Sequence, residues 1–140
     1  MTDTAEKPLL LTDIELAVRA SWDAETCTPE YRARWTGDNP ARDQCGVTAL
    51  VLNDLLGGDL LRGEVHVDGV RVDYHWWNRL GDGLEVDLTR EQFAPHEIVT
   101  PGTVIPRPPD SGLRRLREEY ELLRERVLVR LGATGAMPRP

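Results

Sequence analysis

Cys45, His75 and Asp87 are residue types that, in this order along a chain, fit one kind of chemistry. A thiol becomes a nucleophile when a base takes its proton, and an imidazole acts as that base only when something orients it. A carboxylate orients it by accepting the other ring N–H. The reaction such a trio performs is acyl transfer through a thioester, in which negative charge on the attacked carbonyl oxygen needs fixed donors. The Cys45 backbone N–H is one candidate donor. Gln44, Trp77 and Asn78 complete the candidate set as oxyanion or substrate contacts.

The flanking residues predict how these groups are positioned. Cys45 opens an apolar run, Gly46-Val47-Thr48-Ala49-Leu50-Val51-Leu52, predicting a central helix from near Asp43 to Leu56 that Gly57-Gly58 ends. In the first turn the free N–H groups and helix dipole favour an anion, so a lowered thiol pKa is expected. Alternation then replaces helical spacing. Leu60–Val67 and Val70–Leu80 flank Asp68-Gly69, a strong hairpin turn, and Gly81-Asp82-Gly83 precedes Leu84–Thr89. Three antiparallel strands follow, with His75 on the second and Asp87 on the third, where neighbouring strands bring such side chains together. By parity His75 shares a face with Trp77, a candidate wall of an acyl pocket. Trp76 is then the core tryptophan, with Asn78 on its side.

Outside this core, Thr12-Asp13-Ile14-Glu15 has capping-box spacing and predicts a helix over about Thr12 to Trp22, with Glu15 and Arg19 paired at i, i+4. Thr28-Pro29 predicts a cap and a short helical turn through about Trp35. Residues 94–110 are proline-rich and read as an extended connection, in which Val104-Ile105 either adds a short strand or belongs to a flexible linker. Ser111 is expected to cap a C-terminal helix over residues 111–131, ended by Gly132. Its stripe of Leu113, Leu116, Tyr120, Leu123 and Val127 suits packing within the chain or a homodimer through this helix. Its charged residues, Arg114, Arg115, Arg117, Glu118, Glu119, Glu121, Arg124, Glu125 and Arg126, read as solvated flanks. Residues 132–140 read as a disordered tail, which leaves one domain over 1–131 with its core at about 12–93.

A net charge of −7 argues against a surface that tracks phosphates, so nucleic acid is not an expected partner. No run approaches a membrane span and the N-terminus lacks a secretory pattern, so a cytoplasmic protein is expected. Two cysteines in that compartment read as free thiols, Cys27 as a packed one or as a redox partner for Cys45. His66 and His96 read as surface or locally hydrogen-bonded residues. A zinc site from Cys45, His75, Asp87 and Cys27 lacks any paired-ligand spacing, and no glycine-rich phosphate loop precedes a helix. Neither metal nor cofactor is expected.

Gln44-Cys45, His75-Trp76-Trp77 and Val86-Asp87-Leu88-Thr89 resemble, in order, the Gly-Gln-Cys, His-x-Trp and Val-Asp-Pro-Thr segments of the transglutaminase-like cysteine superfamily. In this chain Asp43 stands for the usual Gly, Gly46 for the Trp after the cysteine and Leu88 for Pro. The resemblance, over about residues 43–90, implies an α+β papain/transglutaminase-like fold with Cys45 as nucleophile, His75 as acid/base and Asp87 as orienter. Ser21-Trp22-Asp23, Asn39-Pro40, Gln44 to Val51, Gly57-Gly58 and Asp87 to Phe93 resemble the bacterial YunG-like family, which brings no activity with it.

The expected architecture is one α+β domain: a central helix carrying Cys45, packed on a small antiparallel sheet carrying His75 and Asp87, plus a C-terminal helix. The expected function is a cysteine-dependent acyl transferase or hydrolase acting on an amide or ester, in a peptide or small molecule, with water or an amine as acceptor. The alternative is a non-catalytic interaction module on a papain-like scaffold, dimerising through residues 111–131.

Overall fold

The computed structural model describes residues 10–109 and 116–132. The expected Ser111 cap, Leu113, Arg114 and Arg115 of the C-terminal stripe and flank, and the tail from 133 lie outside the described residues. The described residues form three α-helices around a small antiparallel sheet, a mixed α+β arrangement.

Helix α1, Leu11–Ser21, buries Ile14, Ala17, Val18 and Ser21. It starts one residue before the expected Thr12 because the Asp13 carboxylate, rather than a Thr12–Glu15 box, accepts the Leu10 N–H at 3.1 Å. Glu15 is left to pair with Arg19 at 3.1 Å. Thr28 caps no long helix. Its N–H and hydroxyl both donate to Asp43 Oδ2, at 2.7 and 2.8 Å, and only a three-residue 3₁₀ turn, Arg32–Arg34, follows.

Helix α2, Cys45–Leu56, is the central helix, with Val47 through Leu52 buried. Strands β1, Asp59–Val67, and β2, Val70–Arg79, form the hairpin. Asp68 and Gly69 both take positive φ, 53° and 78°, as a two-residue turn of the type that matches strand twist requires. Strand β3 is shorter than expected, only Glu85–Val86, and pairs Val86 with Asn78.

The proline-rich connection is no free linker. It supplies β4, Ile98–Val99, and β5, Thr103–Ile105, both antiparallel to β1 on the edge away from β2. The order is β3-β2-β1-β4, with β5 also on β1. Gly63 and Gly102 let this segment close over the Trp77 ring: a Cβ at Gly102 would lie 2.6 Å from Trp77 Cζ2, and one at Gly63 would lie 2.5 Å from the Thr100 carbonyl oxygen.

Helix α3, Arg117–Arg130, buries Tyr120, Leu123 and Val127 in the core formed by α1 and α2. Tyr120, Leu123 and Val127 of the expected stripe, with Leu116 beside them, thus pack within the chain. The Tyr120 hydroxyl donates to Asp54 Oδ2 at 2.5 Å, and Arg107 and Arg124 reach the same carboxylate at 3.1 and 3.3 Å. The charged flank is accordingly less solvated than its sequence suggests: Arg126 is tied to Asp23 and Glu25, and Glu119 is buried beside Arg32. Among the described residues no helix is long and apolar enough to cross a membrane.

Candidate active site

β2 alternates its side chains, so Trp76 and Asn78 face the helical core while His75 and Trp77 face the opposite side. Trp76 is half-buried against that core, and Asn78 donates to the Ala49 carbonyl of α2 at 2.9 Å. His75 is wholly buried. Trp77 stacks on it at 5.2 Å and 24°, and Phe93 meets it edge-on at 4.8 Å.

Val86 lies opposite Asn78, so the next residue, Asp87, reaches diagonally toward His75. Its Oδ2 meets His75 Nε2 at 2.7 Å. The same oxygen accepts Arg90 Nε at 2.7 Å, while Oδ1 accepts the Thr89 N–H at 3.2 Å. Burial works against the Asp87 charge, but the hydrogen bonds and charges of His75 and Arg90 outweigh it and hold the carboxyl below its usual range. Because Arg90 has only donors, Oδ2 must be an acceptor, and His75 Nε2 must carry the proton it shares. Among the described residues His75 Nδ1 has no hydrogen-bond partner in this buried setting, Cys45 included.

Cys45 is the first residue of α2, and Gln44 occupies the N-cap position. Asp43, near the expected start of the helix, takes a left-handed φ of 64° and directs its carboxylate to Thr28. The lowered thiol pKa expected at a helix start does not follow. Burial is the largest effect and pushes the Cys45 thiol up to about 12; the Trp76 N–H, hydrogen-bonded to the sulfur, opposes it, and the Asp73, Asp43 and Asp87 carboxylates reinforce it. The resting sulfur is therefore a thiol. A larger residue at Gly46 would press on Leu116, the N-cap residue of α3: a Cβ there would sit 3.1 Å from Leu116 Cδ1, so that side chain would have to shift.

Gln44 has another task than the oxyanion role expected of it. Its buried amide accepts from Thr26 Oγ1 at 2.7 Å and donates to the Asp23 carbonyl and Cys27 Sγ at 3.0 and 3.3 Å, locking the loop after α1. Asn78, on the far face and bonded to Ala49, is likewise a poor substrate contact. Trp77 borders the imidazole but is itself buried, with its Nε1 donating to Glu85 at 2.8 Å. Cys27 and Cys45 are both free thiols, and burial followed by the Asp43 and Asp23 charges pushes Cys27 up to about 12.

Sequence reasoning left out Arg90, Phe93, Thr89 and Asp73. The usable signal was the i, i+3 spacing of Asp87 and Arg90 in a turn. Phe93 is brought to the ring by the 3₁₀ turn Arg90–Gln92.

Set against known families, residues 10–132 match the family described as YunG protein. The chain belongs to the YunG family. It is 33% identical over 82 residues to the Bacillus subtilis (strain 168) protein named "Uncharacterized protein YunG", a match covering 57% of this chain and 60% of that protein. This chain thus covers less than two thirds of its YunG relative. No solved structure matches it. The YunG match includes α2, the hairpin and the turn after β3, so it takes in Cys45, His75 and Asp87 together.

Proposed function

We propose that this chain is a cysteine-dependent acyl transferase or hydrolase of the transglutaminase-like superfamily, with Cys45, His75 and Asp87 as its catalytic residues on a papain-like core. The observation that supports it best is the half-satisfied histidine. Most buried polar side-chain atoms are hydrogen-bonded, whereas His75 has Nε2 fixed to Asp87 and, among the described residues, Nδ1 without a partner, as is Asn78 Oδ1 on the other face of β2. Burying such a group costs stability, which is the expected signature of a base kept for chemistry.

The reaction begins from the thiol. As Sγ bonds the carbonyl carbon of an amide or ester, the Sγ proton passes to His75 Nδ1, and the carbonyl π electrons move to oxygen. Asp87 stabilises the imidazolium. Collapse of the tetrahedral adduct breaks the bond to the leaving nitrogen or oxygen, which takes the proton from His75 and leaves a Cys45 thioester. Water or an amine then gives its proton to His75 and attacks the thioester, and collapse returns the proton to sulfur. The Sγ to Nδ1 contact closes when substrate binds, as catalytic hydrogen bonds often do. Two free thiols suit a reducing cytoplasm, where we place this reaction.

A non-catalytic scaffold is the second reading, and the raised Cys45 thiol is the observation in its favour. Hydrolysis of acyl p-nitrophenyl esters separates them. The catalytic reading requires ester turnover that Cys45→Ser and His75→Ala each remove while thermal melting stays cooperative. Turnover absent in the wild-type chain, or undiminished in either variant, rules it out.

A further inference from the structure

Asp87 Oδ2 accepts from two groups at the same distance, 2.7 Å from His75 Nε2 and 2.7 Å from Arg90 Nε. The Arg90 guanidinium also lies 5.2 Å above the Trp77 ring, which is the ring stacked on His75. One cation therefore touches both the carboxylate that orients the imidazole and the indole that covers it. Neither a surface ion pair nor a simple capping bond requires both contacts.

We propose that Arg90 is a positioning residue for the histidine: it holds Asp87 in place and, by sharing Oδ2 with His75 Nε2, limits how strongly that carboxylate can draw a second proton onto the ring, so that Nδ1 stays open to the thiol proton. This rests on the acyl-transfer reading of the site. The physical reason is competition for one oxygen. An imidazolium at Nε2 would place a second cation on an oxygen that already serves a guanidinium, within the range where like charges repel strongly. With Arg90 present, Asp87 orients the ring without drawing a proton onto it permanently. Without Arg90, His75 becomes the natural counter-cation of Asp87, and a ring that is already protonated cannot accept the thiol proton.

The surroundings leave Arg90 as the group able to exert this control. Trp77 and Phe93 provide aromatic contacts. Among the described residues the charged groups nearby are Asp87 and Arg90 after β3, Glu85 at the indole nitrogen, Asp73 two residues back on the same face of β2, Asp43 beside Cys45 before α2, and Arg42 over the Phe93 ring at 5.8 Å. The four carboxylates among these favour an imidazolium. Arg42 is held by Glu97, at 2.9 Å, and meets His75 only across Phe93, so Arg90 is the cation bonded to the orienting carboxylate itself.

The test uses the full chain and two variants, Arg90→Gln and Arg90→Lys, each checked for cooperative melting. The His75 ring is titrated by NMR with labelled histidine, and the rate of Cys45 acylation by a p-nitrophenyl ester is followed over the same pH range. Arg90→Gln should move the His75 NMR titration and the acid limb of the acylation profile together toward higher pH. Arg90→Lys, which keeps the charge, should titrate like the wild type. An Arg90→Gln chain whose His75 titration is unchanged overturns the proposal, even if its rate falls, because a merely structural residue lowers the rate without moving the titration. The NMR arm needs no acyl chemistry. A wild-type chain that forms no Cys45 adduct would defeat the proposed function and leave the Arg90 result readable by itself.

Discussion

Alkylation of Cys45 by iodoacetamide should be slow at neutral pH and should quicken without a plateau as pH rises. The structure sets the size of the effect. The thiol rises from an ordinary 9.0 to about 12, chiefly through burial. At pH 8 an ordinary thiol is thiolate in about one molecule in ten, and one at about 12 in roughly one in ten thousand, so labelling should fall about a thousandfold. A timed iodoacetamide pulse, acid quench and mass analysis of the Cys45 peptide gives the rate, with the unfolded chain as reference. Between pH 7 and 10 the folded chain should gain about tenfold per pH unit, while the unfolded reference bends near its thiol pKa. Asp73→Asn, which removes a carboxylate that reinforces the shift, should label faster than wild type. A folded-chain profile that levels off below pH 10, or a rate within tenfold of the unfolded reference, would refute the reasoning. The sign for stability is also fixed. A folded-state pKa above the unfolded one means that the Cys45 contribution is present below about 9 and is lost as pH rises toward 12.

Asp87 works in the opposite direction: its folded-state pKa is lowered, so its contribution is present above the unfolded carboxyl pKa and is lost as pH falls through the folded value, which an acid denaturation series comparing wild type with Asp87→Asn will show as a smaller acid loss in the variant. Gly102→Ala should destabilise by about 1–3 kcal/mol in urea unfolding, because its Cβ has no room beside Trp77 and Leu61. A neutral result there would mean the 100–105 segment packs less closely on the sheet. Leu123→Ala, at a fully buried position of α3, should cost about 2–5 kcal/mol at protein concentrations differing a hundredfold, with no concentration dependence, since its packing lies within one chain.

Much of the fold was legible because it depends on local signals. Asp68-Gly69 specified a turn that few other pairs make, and the switch from helical spacing to alternation placed α2, β1 and β2. The side of β2 on which each tryptophan lies followed from parity alone. What escaped the sequence depends on partners distant in the chain. β4 and β5 are too short to show a period and exist because β1 offers them an edge. Asp43 is a residue type that caps helices and stands near the expected helix start, but Thr28 supplies two donors to its carboxylate, and that tertiary tie won over the local preference.

The site shows the same division. The order of Cys45 on a helix, His75 on a strand and Asp87 downstream was readable, but Asp87 lies one residue past the short β3 rather than on it, and its bond to His75 follows from the pairing of Val86 with Asn78. Gln44 was misread because its neighbour is a candidate nucleophile, whereas its side chain answers to Asp23, Thr26 and Cys27 in a loop some twenty residues earlier. The direction of the Cys45 shift was misread for a related reason: a helix start is visible in sequence, while the burial and three carboxylates that outweigh it are brought there by folding. Arg90 is the opposite case, near Asp87 in sequence yet significant only because Trp77 and His75 lie beneath it.

The most direct measurement is the site of acyl attachment after rapid quench. The wild-type chain is mixed with an acyl p-nitrophenyl ester, stopped in acid within the first turnover, digested and mapped. The thioester mechanism predicts one acyl group per chain, on Cys45, cleaved by neutral hydroxylamine and absent from His75→Ala. An adduct that forms on Cys45 equally fast in His75→Ala, or a wild-type chain with no acyl group on Cys45, would contradict it.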